Sequence, residues 1–223
     1  MVCLANSRKL AGRCVAGRVL ENGEPTGWVR PVSSREHEEV SEYERQYEDG
    51  SDPKLLDVID VPLIEPRPKN YQTENWLLNA DYYWVKRGQV SWEELDQFTD
   101  PLAELWLNGM STYHGQNDRV DLETANQLDH SLRFLKLPEL RLSVFAPGAQ
   151  FDNPKRRVQA RFTHNNEEYR LWVTDPRYER EYLARDNGHY DIGECFATIS
   201  IGEPKDGYCY KLVAAIIEPG HGR

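Results

Sequence analysis

The feature that most constrains this chain is the alternation in its last third, where runs rich in leucine, β-branched and aromatic residues are separated by short polar breaks. A period of two sends successive side chains to opposite faces of a strand, so these runs predict strands at 139–145, 157–163, 168–174, 195–201 and 209–217. His164-Asn165-Asn166 supplies a tight reversal between the second and third. Asp175-Pro176 then opens a Tyr-, Arg- and Glu-rich stretch to Asp186 that reads as a turn followed by a short helix. Five strands with a helix between the third and fourth suffice for a small barrel.

The first half carries the same kind of text, less evenly. Strands are expected at 13–20 and 27–32, reversed at Glu21-Asn22-Gly23-Glu24-Pro25, because Asn-Gly favours a hairpin. A third strand fits 55–64 (LLDVIDVPLI), with Pro62 near an edge, and a further one fits 82–85 after the break at Pro66-Arg67-Pro68. Ser91 with Glu94 at the capping-box position starts a helical pattern through Trp92, Leu95, Phe98, Leu102, Leu105 and Trp106, divided at Pro101. Leu122, Ala125, Leu128, Leu132 and Leu135 mark one face of a helix over 121–135. The expected organisation is mainly β with α (α+β): an N-terminal lobe at 1–90 with an acidic insertion, a helical connector at 91–137, a C-terminal lobe at 138–218 and a tail at 219–223.

A chain of 223 residues has the length for two such lobes, and 39% hydrophobic residues against 29% charged leave enough apolar surface for their cores. No apolar run approaches the roughly 20 residues of a membrane span, which predicts a cytoplasmic protein without membrane contact. Cys3, Cys14, Cys195 and Cys209 form no C-x-x-C, so buried reduced thiols are expected in place of a zinc site or disulfide framework. Neither a metal nor any other cofactor is called for by motif. The net charge of −10 opposes nucleic-acid binding, which draws affinity from cations. It is unevenly spread, however: Glu38, Glu39, Glu42, Glu44, Glu48, Asp49 and Asp52 crowd 37–53, whereas arginines and lysines dominate 133–180.

Asn6-Ser7-Arg8-Lys9, then Gly12-Arg13-Cys14-Val15-Ala16-Gly17 and Trp28-Val29-Arg30-Pro31-Val32-Ser33, resemble the start of bacterial proteins described as containing a dual OB domain. The resemblance continues through Leu55-Leu56-Asp57-Val58-Ile59, Tyr71-Gln72-Thr73-Glu74-Asn75, Val173-Thr174-Asp175-Pro176 and Lys211-Leu212-Val213-Ala214-Ala215. It implies two OB-like small β-barrels joined by a helical segment, and a place in a bacterial defence system. It carries over no catalytic residues.

Three surfaces are candidates for binding single-stranded nucleic acid or a nucleotide. The first joins Asn6, Ser7, Arg8, Lys9 and Arg13 to Trp28 and Arg30, cations for phosphates beside an aromatic for a base. The second is Tyr71, Gln72, Glu74, Asn75 and Trp76, whose amides and carboxylate could read a base edge. The third mixes cations and aromatics on adjacent strands, Lys155, Arg156, Arg157, Arg161, Tyr169 and Trp172, with Arg170 beside Trp172 on the outer face of one strand. Each has a plain structural reading as core, turn or ion pair. An enzyme would use Glu74 or Asp175 beside Asn6, Arg8 or Arg30, although Asp175 also reads as an ordinary turn and helix start. An adaptor would offer the acidic 37–53 stretch to a protein partner.

Overall fold

The computed structural model describes residues 1–101 and 104–220. Two units emerge, one built on Met1–Phe98 with Asp129–Ser131 and one on Thr99–Leu128 with Leu132–Pro219.

In the first unit, β1 (Val2–Lys9), β2 (Gly12–Glu21) and β3 (Glu24–Val32) form an antiparallel meander. Asn22 and Gly23, at φ 54° and 88°, turn the β2–β3 hairpin in the left-handed region as the sequence requires. After α1 (Glu42–Arg45) come β4 (Asp57–Asp60), β5 (Leu63–Pro66), β6 (Asn75–Leu78) and β7 (Val85–Gln89). The sheet order is β5-β6-β3-β2-β1-β4-β7, with β3 and β6 parallel. β4 and β5 are successive halves of one run interrupted at Val61-Pro62, the first half lying against β1 and the second against β6. One broken strand thus serves both flanks, and the sheet curls into a half-barrel.

The second unit adds β8 (Arg119–Asp121), α2 (Leu122–Ala125), β9 (Leu132–Phe145), β10 (Arg157–His164), β11 (Glu167–Val173), α3 (Pro176–Leu183), β12 (Gly188–Ile201) and β13 (Tyr208–Ile217). β9 pairs with both β10 and β12, and the parallel contact of β11 with β13 at Trp172↔Leu212 and Val173↔Val213 closes a five-stranded barrel. Leu140, Leu142 and Val144 of β9, Val158, Ala160 and Phe162 of β10, and Tyr169, Leu171 and Val173 of β11 fill it. The amine of Lys211, buried on β13, donates to Leu107 O, and burial pulls it down to about 8.

Several expectations change. β1 was not anticipated as a strand: Val2, Cys3, Leu4 and Ala5 are all buried, so this segment lacks the alternation of a half-exposed strand. The strand expected at 82–85 begins only at Val85, where pairing with β4 sets in at Asp60↔Val85. Glu94 does accept from the Ser91 backbone at 2.8 Å, but the helix it starts is a 3-10 turn over Trp92–Phe98. Leu102, placed on its apolar face, and residues 221–223 of the expected tail lie outside the described residues. The helix over 121–135 shrinks to α2, because Leu132 and Leu135 belong to β9, where pairing along β12 outweighs a helical spacing of leucines.

Asp175 is a structural cap. Its Oδ1 accepts from Arg177 N at 2.9 Å and Tyr178 N at 3.3 Å, while its Oδ2 accepts from Ile216 N at 3.1 Å. Burial raises its carboxyl above the ordinary value, and these backbone donors oppose that rise. Asp175→Ala removes the α3 cap and strands the Ile216 donor, so it should cost about 2 kcal/mol in urea denaturation. A change below about 0.5 kcal/mol would show that the cap carries no weight.

Candidate functional site

Closure of the second barrel fixes which side chains face outward on β9, β10 and β11. With 140, 142 and 144, 158, 160 and 162, and 169, 171 and 173 turned inward, the intervening residues form cross-strand rows on the outer surface. In one row Arg141 is paired with Arg161, and Arg161 with Arg170. Like charges set directly opposite one another weaken a sheet. Here carboxylates offset the repulsion: Glu168 Oε2 takes Arg161 Nη2 at 2.6 Å, Glu168 Oε1 takes Arg170 Nη2 at 2.6 Å, and Asp191 Oδ1 takes Arg141 Nε at 2.5 Å. Partial burial alone would raise the Glu168 carboxyl, yet hydrogen bonds from Arg170 and Arg161 hold it below its ordinary value.

The neighbouring row runs His189, Ser143, Gln159, Trp172 in register. Beyond it, Phe145 and Trp172 approach at 5.7 Å between centroids, and the Arg157 guanidinium stacks 3.9 Å over Trp172. His114 extends the aromatic series to Phe145 at 5.5 Å, with the solvent-exposed Tyr113 at its edge. Gln159 fixes this segment by donating from Nε2 to His114 O at 2.8 Å, and His114 Nε2 lies 3.0 Å from Pro147 O, which requires the proton on that nitrogen. Two hollows, of about 380 and 310 Å³, share Arg161 as a wall. One is also lined by Phe145, Gln159, Arg170 and His189, the other by Glu139, Arg141 and Thr163.

Of the residues singled out in the sequence, Arg157, Arg170 and Trp172 are on this face, and Lys155 is exposed on the segment leading into β10. The stacking partner of Trp172 is Arg157; Arg170 is held by Glu168 instead. Arg161 is on this face too, whereas Tyr169 fills the barrel and Arg156 is held by Asn187 Oδ1 at 2.8 Å; Arg141, Phe145, Ser143, Gln159 and His189 carry no such signal within their own strands. Only strand register brings them together, and alternation within one strand does not reveal it.

Arg30, Gln72, Glu74 and Asn75 do converge, in the first unit, as a buried network. Arg30 Nη2 lies 2.9 Å from Glu74 Oε1 and donates to Ser131 Oγ at 2.8 Å, and Arg30 Nη1 reaches Asn75 Oδ1 at 3.4 Å. Ser131 in turn donates to Glu74 through both its hydroxyl and its backbone N–H, and Asn75 Nδ2 donates to Gln72 Oε1. Tyr71 beside them is 1% exposed, while Trp76 is half-buried. Asn6, Ser7, Arg8 and Lys9 lie on β1, where Arg8 faces Arg13 across the pair and Asn6 donates to Pro53 O. Trp28 sits under Arg18, whose guanidinium is 4.8 Å from the ring centroid. Glu74 and Asp175 are thus each saturated by groups of their own unit. Carboxylates of the acidic stretch are likewise engaged, Glu44 in a capping box with Ser41, Asp52 with Arg45 and Glu38 with Lys69.

In both units the third strand of an antiparallel meander takes a parallel partner from later in the chain, β3 with β6 and β11 with β13, and this defines binding modules of the OB type. The model of the dual OB-containing domain family matches residues 1–216, and the chain belongs to that family. No curated protein and no solved structure matches it. Among the described residues no helix is long and apolar enough to cross a membrane, and no group of three or more His, Cys, Asp or Glu side chains is placed to hold a metal ion.

Because the Arg30–Glu74 pair is buried, removing one partner leaves a charge without its counterion. Glu74→Ala should therefore destabilise the first unit by about 3 to 5 kcal/mol in chemical denaturation. A loss under about 1 kcal/mol, the range of an exposed pair, would contradict the burial.

Proposed function

We propose that the second barrel binds single-stranded nucleic acid on the outer face of β9, β10 and β11, with phosphates along Arg141, Arg161 and Arg170 and bases against Trp172 and Phe145. The observation that carries this reading is the arginine row. A sheet gains nothing from three guanidinium groups in direct register, and their repulsion has to be offset by Glu168 and Asp191, so packing supplies no reason for them. An anionic ligand does. The face also suits the fold, since β10 and β11 are the second and third strands of the barrel, the surface on which OB-folds take oligonucleotides. Stacking on aromatics beside cations is how single strands are held without base pairing. The net charge of −10 does not preclude this, because Arg141, Arg157, Arg161 and Arg170 share this face.

Fluorescence anisotropy with labelled 12-nucleotide DNA and RNA single strands tests the reading. The chain should bind at about 50 mM salt and lose affinity steeply by about 200 mM. Trp172→Ala should weaken binding about tenfold through lost stacking, and Arg161→Ala should lower the salt slope by about one. An absence of binding at low salt would refute the reading. Binding indifferent to both substitutions would move the site off this face.

A further inference from the structure

The arginine row does not meet solvent bare. Glu168 stands on β11 two residues before Arg170, on the same outward face, and its backbone carbonyl is anchored by Asn117 Nδ2 at 3.0 Å. Oε1 receives a fork from Arg170, Nε at 2.7 Å and Nη2 at 2.6 Å, while Oε2 receives Arg161 Nη2 at 2.6 Å. Two oxygens of one anion are therefore shared between two guanidinium groups, the same arrangement in which arginines grip a phosphate. The three side chains remain a third to a half exposed, at 32% for Glu168, 49% for Arg161 and 43% for Arg170, so a ligand can reach them.

We infer that Glu168 is an internal competitor for the phosphate position between Arg161 and Arg170, and that it sets the specificity of this face for oligonucleotides over small isolated anions. The inference rests on the single-strand reading above. A phosphate entering there has to displace a carboxylate that stays tethered beside the same arginines, so its effective concentration remains high. A lone anion gains little from the exchange. An oligonucleotide gains further contacts at Arg141 and along Trp172 and Phe145, and these tip the balance. The displaced carboxylate also takes up a counter-cation, so the native chain releases fewer ions on binding than its phosphate contacts alone would imply.

Titrating the labelled 12-nucleotide DNA strand into the native chain, Glu168→Gln and Glu139→Gln tests this. Glu139 carries the same charge near the same row but lies 4.0 Å from Arg141 and bridges no pair, so its variant reports the general field alone. Glu168→Gln should bind about three- to tenfold more tightly near 100 mM salt, with a salt slope steeper by about one. Glu139→Gln should change affinity less than twofold, and inorganic phosphate should displace the strand more readily from Glu168→Gln than from the native chain. Equal or weaker binding by a folded Glu168→Gln, as judged by its melting curve, would overturn the inference and make Glu168 a positioning residue. Equal tightening by Glu139→Gln would overturn it too, in favour of simple charge. If neither the native chain nor Glu168→Gln binds the strand at low salt, the single-strand reading itself falls, and the inference with it.

Discussion

The short parallel contact between β11 and β13 is the constraint from which the rest of the second unit follows. Without it the strands would form an open sheet in the order β11-β10-β9-β12-β13-β8. With it the sheet closes, and every residue of β9, β10 and β11 is assigned to the core or to the outer face. The apolar residues at 140, 142, 144, 158, 160, 162, 169, 171 and 173 then become one interior, and α3 lays Tyr178 and Tyr182 against it from the position that Asp175 caps. The outward rows are the necessary complement of that interior. The first unit stays a curled half-barrel, in which one run broken at Pro62 pairs with β1 through its first half and with β6 through its second.

Two arginine–glutamate arrangements show how burial decides the role of the same chemistry. Around Arg30 and Glu74 both side chains are withdrawn from water and bonded to groups of the same unit, so the pair ties the Asp129–Ser131 segment to the sheet. Around Glu168 the pairs are partly solvated, where an ion pair is worth about 1 kcal/mol or less, so they can be exchanged. Repulsion between Arg141, Arg161 and Arg170 gives a ligand with several phosphates a gain that a lone surface arginine would not. This is why the exposed arginines carry the functional proposal and the buried one does not.

Much of the fold could be read from the residues. The strands of the second barrel, the Asn165-Asn166 reversal with both residues left-handed, and α3 behind its aspartate all follow from local chemistry, because alternation, turns and caps are decided within a few residues. What escaped was set by distant pairing. β1 is buried along its first half and shows no alternation to find, and the leucines at 132 and 135 mimic a helix until β12 lies beside them. The candidate site was half legible for the same reason. Arg170 and Trp172 share a face by simple alternation, but the alignment of Arg141, Arg161 and Arg170, and the placement of Arg157 over Trp172, depend on register between strands. Ser131, the partner of Glu74 from 57 residues away, carries no local signal at all.

Binding as proposed confines ligand contact to the outer face of β9, β10 and β11. Amide hydrogen exchange with and without a saturating single strand reads this directly, because it reports each segment separately. Slowed exchange in residues 139–145, 157–163 and 167–173, together with the 112–117 segment tied to them, is the predicted result. Protection confined to the first unit, over residues 1–98, with this face unchanged, would contradict the account.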